Sequence, residues 1–437
     1  MTRPQHFGWF LARGFGPHGW GHDYLDWGYD WTRPDLYQQS ARTLEQAGFD
    51  LLVIEDAPSL GSAETIDLRV RHAFGGPKHD PLLLAPYLFA ATAHLGVVPT
   101  VNPAASLPYT AARQFATLQH LSAGRFGLNV VTDTGSARHF GTAEPLGHDA
   151  AYDRAEEWLG AVRSLWRSWD DGALIADPVS GRYADGTRMQ PVSHRGEYYA
   201  FDGPLNAIPF PAGEPVIVSP GGSGRGLGFA GANSDVQLAI SPLDEASIRS
   251  YRARIHDAAV ARGRRPSDVT ILFALQPVLV DSPEEADRIV AASRTPDDAA
   301  LRRIAQRQSS DLETDLTALD LDAPLDVSVF ADHVSHGSIR RLIGDHDETA
   351  SLRTILAAHA RAGRLRDGSG MVGTADEFAD LIEELASWGN DGVLLWGDLH
   401  PVTVHRTLDR LVPILRRRGL LRDGYVDGGL RANLAAF

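Results

Sequence analysis

The 437-residue sequence contains no cysteine and a single lysine, Lys78, although lysine and arginine together number 41. The absence of cysteine excludes disulfides, thiolate metal sites and cysteine nucleophiles. It also permits the cytoplasmic location that we expect, without requiring it. With one lysine, a Walker-type phosphate lysine and a Schiff-base lysine are both disfavoured. Any bound phosphate must be held mainly by backbone N–H groups, hydroxyls, histidine or arginine.

Long apolar runs and basic runs are also missing. No segment approaches the length of a membrane span, and the first residues, MTRPQHFGWFLARG, lack the uninterrupted apolar core of a signal peptide. The formal net charge is −15, and no basic run offers neutralisation of phosphates. We therefore expect neither a nucleic acid nor a membrane as a partner.

The segment 96–132 predicts a strand, a helix and a second strand. Residues 96–102 form a short apolar run that is typical of a strand buried on both faces. Pro108 suits the first turn of a helix, which Gly124 ends, and residues 126–131 form the second buried run.

Polar side chains follow both of these strands. Thr100 and Asn102 lie at the end of the first, and Asn129 and Thr132 at the end of the second. Because ligands bind at the carboxyl ends of strands in parallel α/β folds, we expect both pairs to face one mouth. Alternatively, these residues only cap the helices that follow.

The alternation of strands and helices continues along the chain and predicts an α/β fold, an eight-stranded (β/α) TIM barrel. We assign residues 1–437 to a single domain with insertions at about 170–214, where no helical or strand period is sustained, and at about 282–350, which is mostly polar helix and loop. The second insertion directly follows strand seven and should reach the mouth, whereas the first could pack at either end. The predicted strands are 6–12, 50–56, 96–102, 126–131, 215–219, 235–240, 269–280 and 391–396.

The motif PGGSGRG after the fifth strand predicts an anion cradle. Gly222 and Gly224 allow close backbone approach, Ser223 offers a hydroxyl, and the next helix presents its positive N-terminus. A plain tight turn is the alternative, and the spacing does not match a dinucleotide GxGxxG. His148 and Tyr152 lie four residues apart where a loop enters a helix, so both could face one ligand. Taken alone, such a pair could equally be structural.

Histidines and carboxylates give no metal motif. His18 and His22 are four residues apart on a glycine-rich loop, which is not convincing metal-ligand spacing, and we expect no metal. Asp56 ends the second predicted strand and could either face the mouth or cap a turn.

The motifs that carry a family resemblance are spread over nearly the whole chain in order. The sequence resembles the bacterial-luciferase-like flavin monooxygenases, in the branch of the nitrilotriacetate, dibenzothiophene-sulfone and long-chain alkane monooxygenases. The motifs are GWGHD, VIED, VVPTVNP, ARQFATLQHLSAGRFGLNVVTD, GHDAAYDRAEEW, GEYYAFDGPLN, PVIVSPGGSGRG and RRRGLLRDGY.

This resemblance implies a luciferase-like TIM barrel that binds reduced FMN supplied by a separate NAD(P)H:flavin reductase. In such enzymes O2 gives a flavin hydroperoxide, which inserts one oxygen atom into a small organic substrate. The resemblance also leads us to expect a homodimer or homotetramer. His18 and Asn129 are the catalytic candidates. The cofactor-binding residues that it implies are Asp56, Thr100, Asn129, Thr132, His148, Tyr152, Gly222, Ser223 and Gly224.

Three departures from the family pattern leave the flavin hypothesis standing but leave the substrate and some phosphate contacts open. Asp133 stands where the family commonly has serine, residues 219–224 differ from its alanine-containing phosphate loop, and the segment IPFPAGE after GPLN is atypical. Three alternatives also stay open. They are a luciferase-like deazaflavin-dependent oxidoreductase, a flavin-binding barrel without turnover, and a metal-dependent hydrolase or isomerase barrel.

Overall fold

The computed structural model describes most of the chain. The described residues are 3–11, 30–60, 63, 66–71, 78–132, 137–141, 146–208, 210–211, 213–330 and 336–437. His18, His22 and Asp133 lie outside them.

The strands and helices are numbered in chain order. The strands are β1 (His6–Leu11), β2 (Leu51–Ile54), β3 (Gly96–Val101), β4 (Gly127–Val130), β5 (Leu174–Asp177), β6 (Arg182–Ala184), β7 (Ser193–Arg195), β8 (Ala200–Asp202), β9 (Val216–Pro220), β10 (Val236–Ala239), β11 (Thr270–Leu275), β12 (Val278–Leu279), β13 (Val372–Gly373) and β14 (Gly392–Gly397). The helices are α1 (Pro34–Ala47), α2 (Ile66–Val70), α3 (Pro81–Ala91), α4 (Pro108–Leu121), α5 (His148–Trp166), α6 (Gly224–Asn233), α7 (Glu245–Val260), α8 (Pro283–Ala292), α9 (Asp298–Leu312), α10 (His336–Ile343), α11 (Leu352–Ala360), α12 (Ala375–Ser387), α13 (Pro401–Arg417) and α14 (Gly429–Leu434).

Eight strands close into a barrel in the order β1-β14-β11-β10-β9-β4-β3-β2, and each pair along this order is parallel. The predicted TIM barrel is confirmed. Prediction and structure differ at strand seven, where β11 ends at Leu275 and β12 leaves the barrel to pair with β13. Helix α5 begins at His148, with Gly147 as its N-cap, so His148 and Tyr152 both lie in its first two turns. Among the helices in the described ranges, none is both long and apolar enough to cross a bilayer.

The amino-terminal end of the barrel is plugged by α14. Leu430 is fully buried, and its backbone N–H donates to the carbonyl oxygen of Gly124, just before β4. A Cβ atom added at Gly96 would lie 2.6 Å from Leu430 Cδ1, and one added at Gly127 would lie 3.4 Å from Cδ2. The glycines therefore make room for this leucine, and the carboxyl ends of the strands are left as the mouth.

The first insertion, predicted at 170–214 without regular structure, contains two antiparallel hairpins, β5–β6 and β7–β8. Its second hairpin packs on α5 and on the loop that follows β3. Tyr199 Oη donates to Pro103 O at 2.7 Å, and the Glu157 carboxylate accepts from the N–H of Tyr199 at 2.9 Å. One part of this insertion thus lies towards the mouth.

The second insertion lies between β12 and β13 and builds its own apolar cluster from α9, α10 and α11. The cluster includes Leu352, Ile355 and Leu356, so this unit runs beyond the predicted end at 350. Helix α9 contacts α2, which lies in the loop after β2, and Arg71 faces Asp315 at 3.5 Å. The insertion therefore reaches the mouth end, as expected from its position after strand seven. The assignment of residues 1–437 to one domain stays a prediction.

We expect Leu430→Ala to lower the free energy of unfolding by about 2–5 kcal/mol, because it leaves a cavity beneath the barrel floor. Urea unfolding measures this loss. Leu83→Ala is the matched control, since Leu83 is 71% exposed on α3 and its truncation should change stability by no more than about 0.5 kcal/mol. Equal effects of the two substitutions would contradict the role of Leu430 as a plug.

Candidate functional site

Thr100 and Asn129 lie side by side at the carboxyl ends of β3 and β4. They are register partners, and Asn129 Nδ2 donates to Thr100 Oγ1 at 2.8 Å. Two residues earlier, Val98 and Gly127 face the barrel interior, where a Cβ at Gly127 would lie 3.0 Å from Val98 Cγ2. Because side chains alternate along a strand, Thr100 and Asn129 face the same interior one layer nearer the mouth.

Asn129 has an acceptor that the protein leaves unused within the described residues. The side chain is 3% exposed, and its Oδ1 has no hydrogen-bond partner there. A buried acceptor without a donor costs about 1–3 kcal/mol, so such an atom is a natural point for a ligand N–H.

The other polar residues at these strand ends behave differently. The Asn102 side chain accepts from the N–H of Ala104 at 3.0 Å and caps a short 3₁₀ turn, which is the alternative role considered from the sequence. Thr132 is half-buried, two residues beyond β4.

Asp56 lies two residues beyond β2 and is half-buried. Burial raises the pKa of Asp56 from 3.8 to about 6, an effect that Lys78 opposes and that Glu55 and Asp80 reinforce. The single lysine therefore lies in this part of the mouth. Its Nζ pairs with Glu55 Oε2 at 2.7 Å, and its side chain is only 8% exposed. Sequence reasoning did not assign Lys78 to the site, because a lone lysine in a loop carries no pattern.

Ser223, His148 and Tyr152 come together at the start of α6. Ser223 is the N-cap, and its Oγ accepts from the N–H of Gly226 at 3.0 Å. His148 Nε2 lies 3.3 Å from the same Oγ, while its Nδ1 lies 2.7 Å from Asp149 Oδ1. The rings of His148 and Tyr152 meet edge to face, with centroids 5.3 Å apart. The structure thus unites three residues from two distant motifs.

The glycines of this loop fall into two groups. A Cβ atom would lie 2.8 Å from the Tyr152 hydroxyl if added at Gly226 and 3.2 Å if added at Gly221, so these two allow close packing. A Cβ at Gly222 or Gly224 would meet nothing within 4 Å. Backbone N–H groups at the first turn of a helix have no intrahelical acceptor, and here the space around them is open.

A buried polar network holds the loop from below. Gln237 Nε2 donates to Gly221 O at 3.0 Å, and the Tyr251 hydroxyl donates to the same oxygen at 3.3 Å. Gln237 Oε1 accepts from Ser219 Oγ at 3.1 Å. These side chains fix the path of the backbone just before the open glycines.

Arg225 does not add net charge to the cradle, because it pairs with Asp153 at 2.7 Å and with Glu156 at 2.9 Å and lies over the Tyr152 ring. A second arginine reaches the cradle edge, where Arg254 Nη2 donates to Gly222 O at 3.4 Å. An anion at the start of α6 would therefore meet a hydroxyl, an imidazole, backbone N–H groups and the helix dipole, with the Arg254 guanidinium nearby. We define the phosphate cradle as His148, Tyr152 and residues 221–226.

The described ranges hold no group of three or more His, Asp or Glu side chains arranged as metal ligands. The metal-dependent alternative therefore gains no support from this part of the chain. His18, the other catalytic candidate, lies outside the described residues, so its role stays a prediction.

The comparisons with known proteins identify the family. The sequence model of the family described as luciferase-like monooxygenase matches residues 6–392. The dibenzothiophene-sulfone monooxygenase of Rhodococcus erythropolis (strain XP) is 33% identical, over 99% of this chain and 97% of that protein. Nitrilotriacetate monooxygenase component A of Aminobacter aminovorans is 29% identical, over 95% and 94% of the two chains.

Two solved structures cover the whole of this chain. The crystal structure of a long-chain alkane monooxygenase has a TM-score of 0.80 and 25% identity, with 96% of that chain covered. A riboflavin lyase with modified FMN and riboflavin has a TM-score of 0.79 and 27% identity, also with 96% covered. The branch inferred from the motifs is confirmed: this chain belongs to the luciferase-like monooxygenase family and is a flavin-dependent monooxygenase.

Proposed function

We propose that this protein is the oxygenase of a two-component system. It would take reduced FMN from a separate NAD(P)H:flavin reductase and use O2 to insert one oxygen atom into a small organic substrate. The observation that carries the proposal is the phosphate cradle, which presents a hydroxyl, an imidazole, backbone N–H groups and a helix N-terminus to an open space.

The residues present fit FMN at both ends of that molecule. Ser223, His148 and the backbone of Gly222 and Gly224 would hold the phosphate, with Tyr152 packed beneath the loop. The unused Asn129 Oδ1 and the hydroxyl of Thr100 would meet the polar edge of the ring system, and Asp56 lies at the end of a neighbouring strand. Reduced flavin, when bound, supplies the electrons that activate O2. Thr132 belongs to the same proposed set on the strength of the resemblance.

The protein itself would position the flavin and keep water away. The second insertion reaches the mouth through the contact of α9 with α2, so it can cover a bound ring and substrate. Asp56 can hold or release a proton near neutral pH, because burial places its pKa at about 6.

Relatives support the partner but name no substrate for this chain. The name of the nitrilotriacetate enzyme, component A, indicates a system of more than one component. One matched structure contains a modified FMN. We infer the same arrangement here, with a homodimer or homotetramer as the expected assembly.

The test is anaerobic titration with reduced FMN, oxidised FMN and a reduced deazaflavin, followed by NADH oxidation with an added flavin reductase. We expect reduced FMN to bind most tightly, and O2 uptake to differ from that of the reductase and FMN alone, because free reduced FMN also reacts with O2. Preferential binding of the deazaflavin, with O2 uptake unchanged from that of the reductase and FMN alone, would overturn the proposal in favour of a deazaflavin oxidoreductase.

Ser223→Gly should weaken the binding of reduced FMN by about 1.5–3 kcal/mol, because the lost hydroxyl would have bonded a charged phosphate. Glycine is tolerated at an N-cap at a cost of a few tenths of a kcal/mol, whereas alanine costs about 1 kcal/mol. Ser223→Ala should therefore weaken FMN equally and also lower stability. Flavin titration and urea unfolding of both variants separate the two effects, and unchanged affinity in Ser223→Gly would refute the phosphate role.

Asp56→Asn should change how stability depends on pH. Because the pKa of Asp56 is raised from 3.8 to about 6, its protonation stabilises the folded state fully below about pH 4. That contribution is lost as the pH rises through about 6. As the pH rises from about 4 to about 6, the free energy of unfolding of the variant should therefore increase relative to that of the wild type. The increase should be about 1–2 kcal/mol once solvent screening is allowed for.

Unfolding midpoints of the FMN-free protein between pH 4 and 8 measure this gain. Asp202→Asn is the control of opposite sign, because hydrogen bonds from Arg195 and Ser193 lower the pKa of Asp202. A pH-independent difference between Asp56→Asn and the wild type would contradict the shifted pKa.

A further inference from the structure

Four arginines in the described ranges are more than nine-tenths buried: Arg125, Arg154, Arg364 and Arg422. Three of them have clear acceptors. Arg125 donates to Phe89 O and Thr92 Oγ1, Arg364 pairs with Asp287 and Glu377, and Arg422 pairs with Asp50 and donates to Asn433.

Arg154 is the exception. It is 7% exposed, and its Nε is buried without an acceptor, as are those of Arg364 and Arg422; unlike them, it has no carboxylate of the described residues within ion-pair distance. Arginine does not lose its proton in proteins, so the charge persists. A charge buried to this extent without a partner among the described residues is unfavourable, and an anion bound beside it would relieve that cost.

The position of Arg154 is fixed by its neighbours. It occupies the second turn of α5, one turn before Trp158, whose Nε1 donates to Ser106 O at 2.7 Å in the loop that follows β3. Residues four apart share a helix face, so Arg154 points along the same loop, nearer the mouth.

The hairpin β7–β8 brings Tyr199 close to Arg154. Burial raises the pKa of Tyr199 to about 12, and the charge of Arg154 opposes this rise, which places the guanidinium near the phenol. The Tyr199 hydroxyl donates to Pro103 O at 2.7 Å and keeps its acceptor capacity. Glu157 is already engaged by the N–H groups of residues 197–199 and by His194.

Arg154 does not belong to the phosphate cradle. Tyr152, which faces that cradle, is only two positions away on α5, and residues two apart point to different sides of a helix. An anion on Arg154 is therefore separate from the flavin phosphate.

We propose that Arg154 is the centre of an anion subsite at the mouth, which receives a carboxylate, sulfinate or sulfonate group of the organic substrate. The guanidinium fork matches two oxygens of such a group, and the subsite lies beside the loop at the carboxyl end of β3. The assignment to a substrate rests on the proposed monooxygenase function. The existence of an anion site does not.

The experiment uses FMN-free protein, so that it does not depend on turnover. Thermal unfolding and calorimetric titration are measured with acetate and with methanesulfonate, against chloride at equal ionic strength. The variants are Arg154→Met and Arg154→Lys, with Arg125→Met as the control for loss of an equally buried arginine.

We expect both probes to raise the melting temperature of the wild type. Arg154→Met should melt about 1–3 °C higher than the wild type in chloride, because it removes an uncompensated charge, and it should lose the response to the probes. Arg154→Lys should bind the probes at least tenfold more weakly, since it lacks the planar fork. Arg125→Met should melt lower and keep the full response.

Two results would overturn the proposal. If Arg154→Met melts lower than the wild type and the response to the probes persists, Arg154 is a structural residue. If FMN competes with methanesulfonate for the same site, the anion belongs to the flavin. Probe binding that depends on Arg154 and is unaffected by FMN supports the subsite even if flavin turnover fails.

Discussion

The closure of eight parallel strands into one ring is the constraint on which the rest of the molecule depends. Every interior position then belongs to one of a few stacked layers, and the amino-terminal layers are filled by apolar side chains and by Leu430. Polar groups can face the interior only at the other end. Thr100 and Asn129, which follow Val98 and Gly127 by two residues, are polar because they belong to the layer at the mouth.

The barrel could be predicted because its strands carry strong local signals. Residues 96–102 and 126–131 are short apolar runs bounded by glycine and proline. The other predicted barrel strands are also short apolar runs. The hairpins of the first insertion were missed, since strands of three or four residues with mostly exposed or half-buried side chains show no period. The end of the second insertion was predicted too early for a different reason. Helix α11 buries its apolar face within the cluster of α9 and α10. The sequence alone does not show which helices α11 packs against.

The roles of the individual site residues were harder to predict from the sequence. Asn102 and Asn129 are the same residue type at the ends of adjacent strands, yet one caps a turn and the other leaves an acceptor unused within the described residues. Only the register and the direction of each side chain decide between these roles. Arg154 gave no signal at all, because in RAEEW it looks like a solvated helix position. Its burial comes from the hairpin and the loop after β3, which are distant in sequence.

Three groups at the mouth have an unfavourable protein environment. Within the described residues, an amide oxygen without a donor, a carboxyl group whose pKa burial has raised, and an arginine without a carboxylate lie near the carboxyl ends of β2 to β4. At the floor, Asp50 is satisfied by Arg422 and by the N–H of Phe7, although Arg422 Nε and Gln5 Oε1 have no partner among those residues. The mouth therefore gains stability when a ligand completes its incomplete groups. In our proposals, the Asn129 amide oxygen matches the ring system, Arg154 matches the substrate anion, and the cradle around Ser223 matches the phosphate. Their binding should therefore order the same face of the barrel.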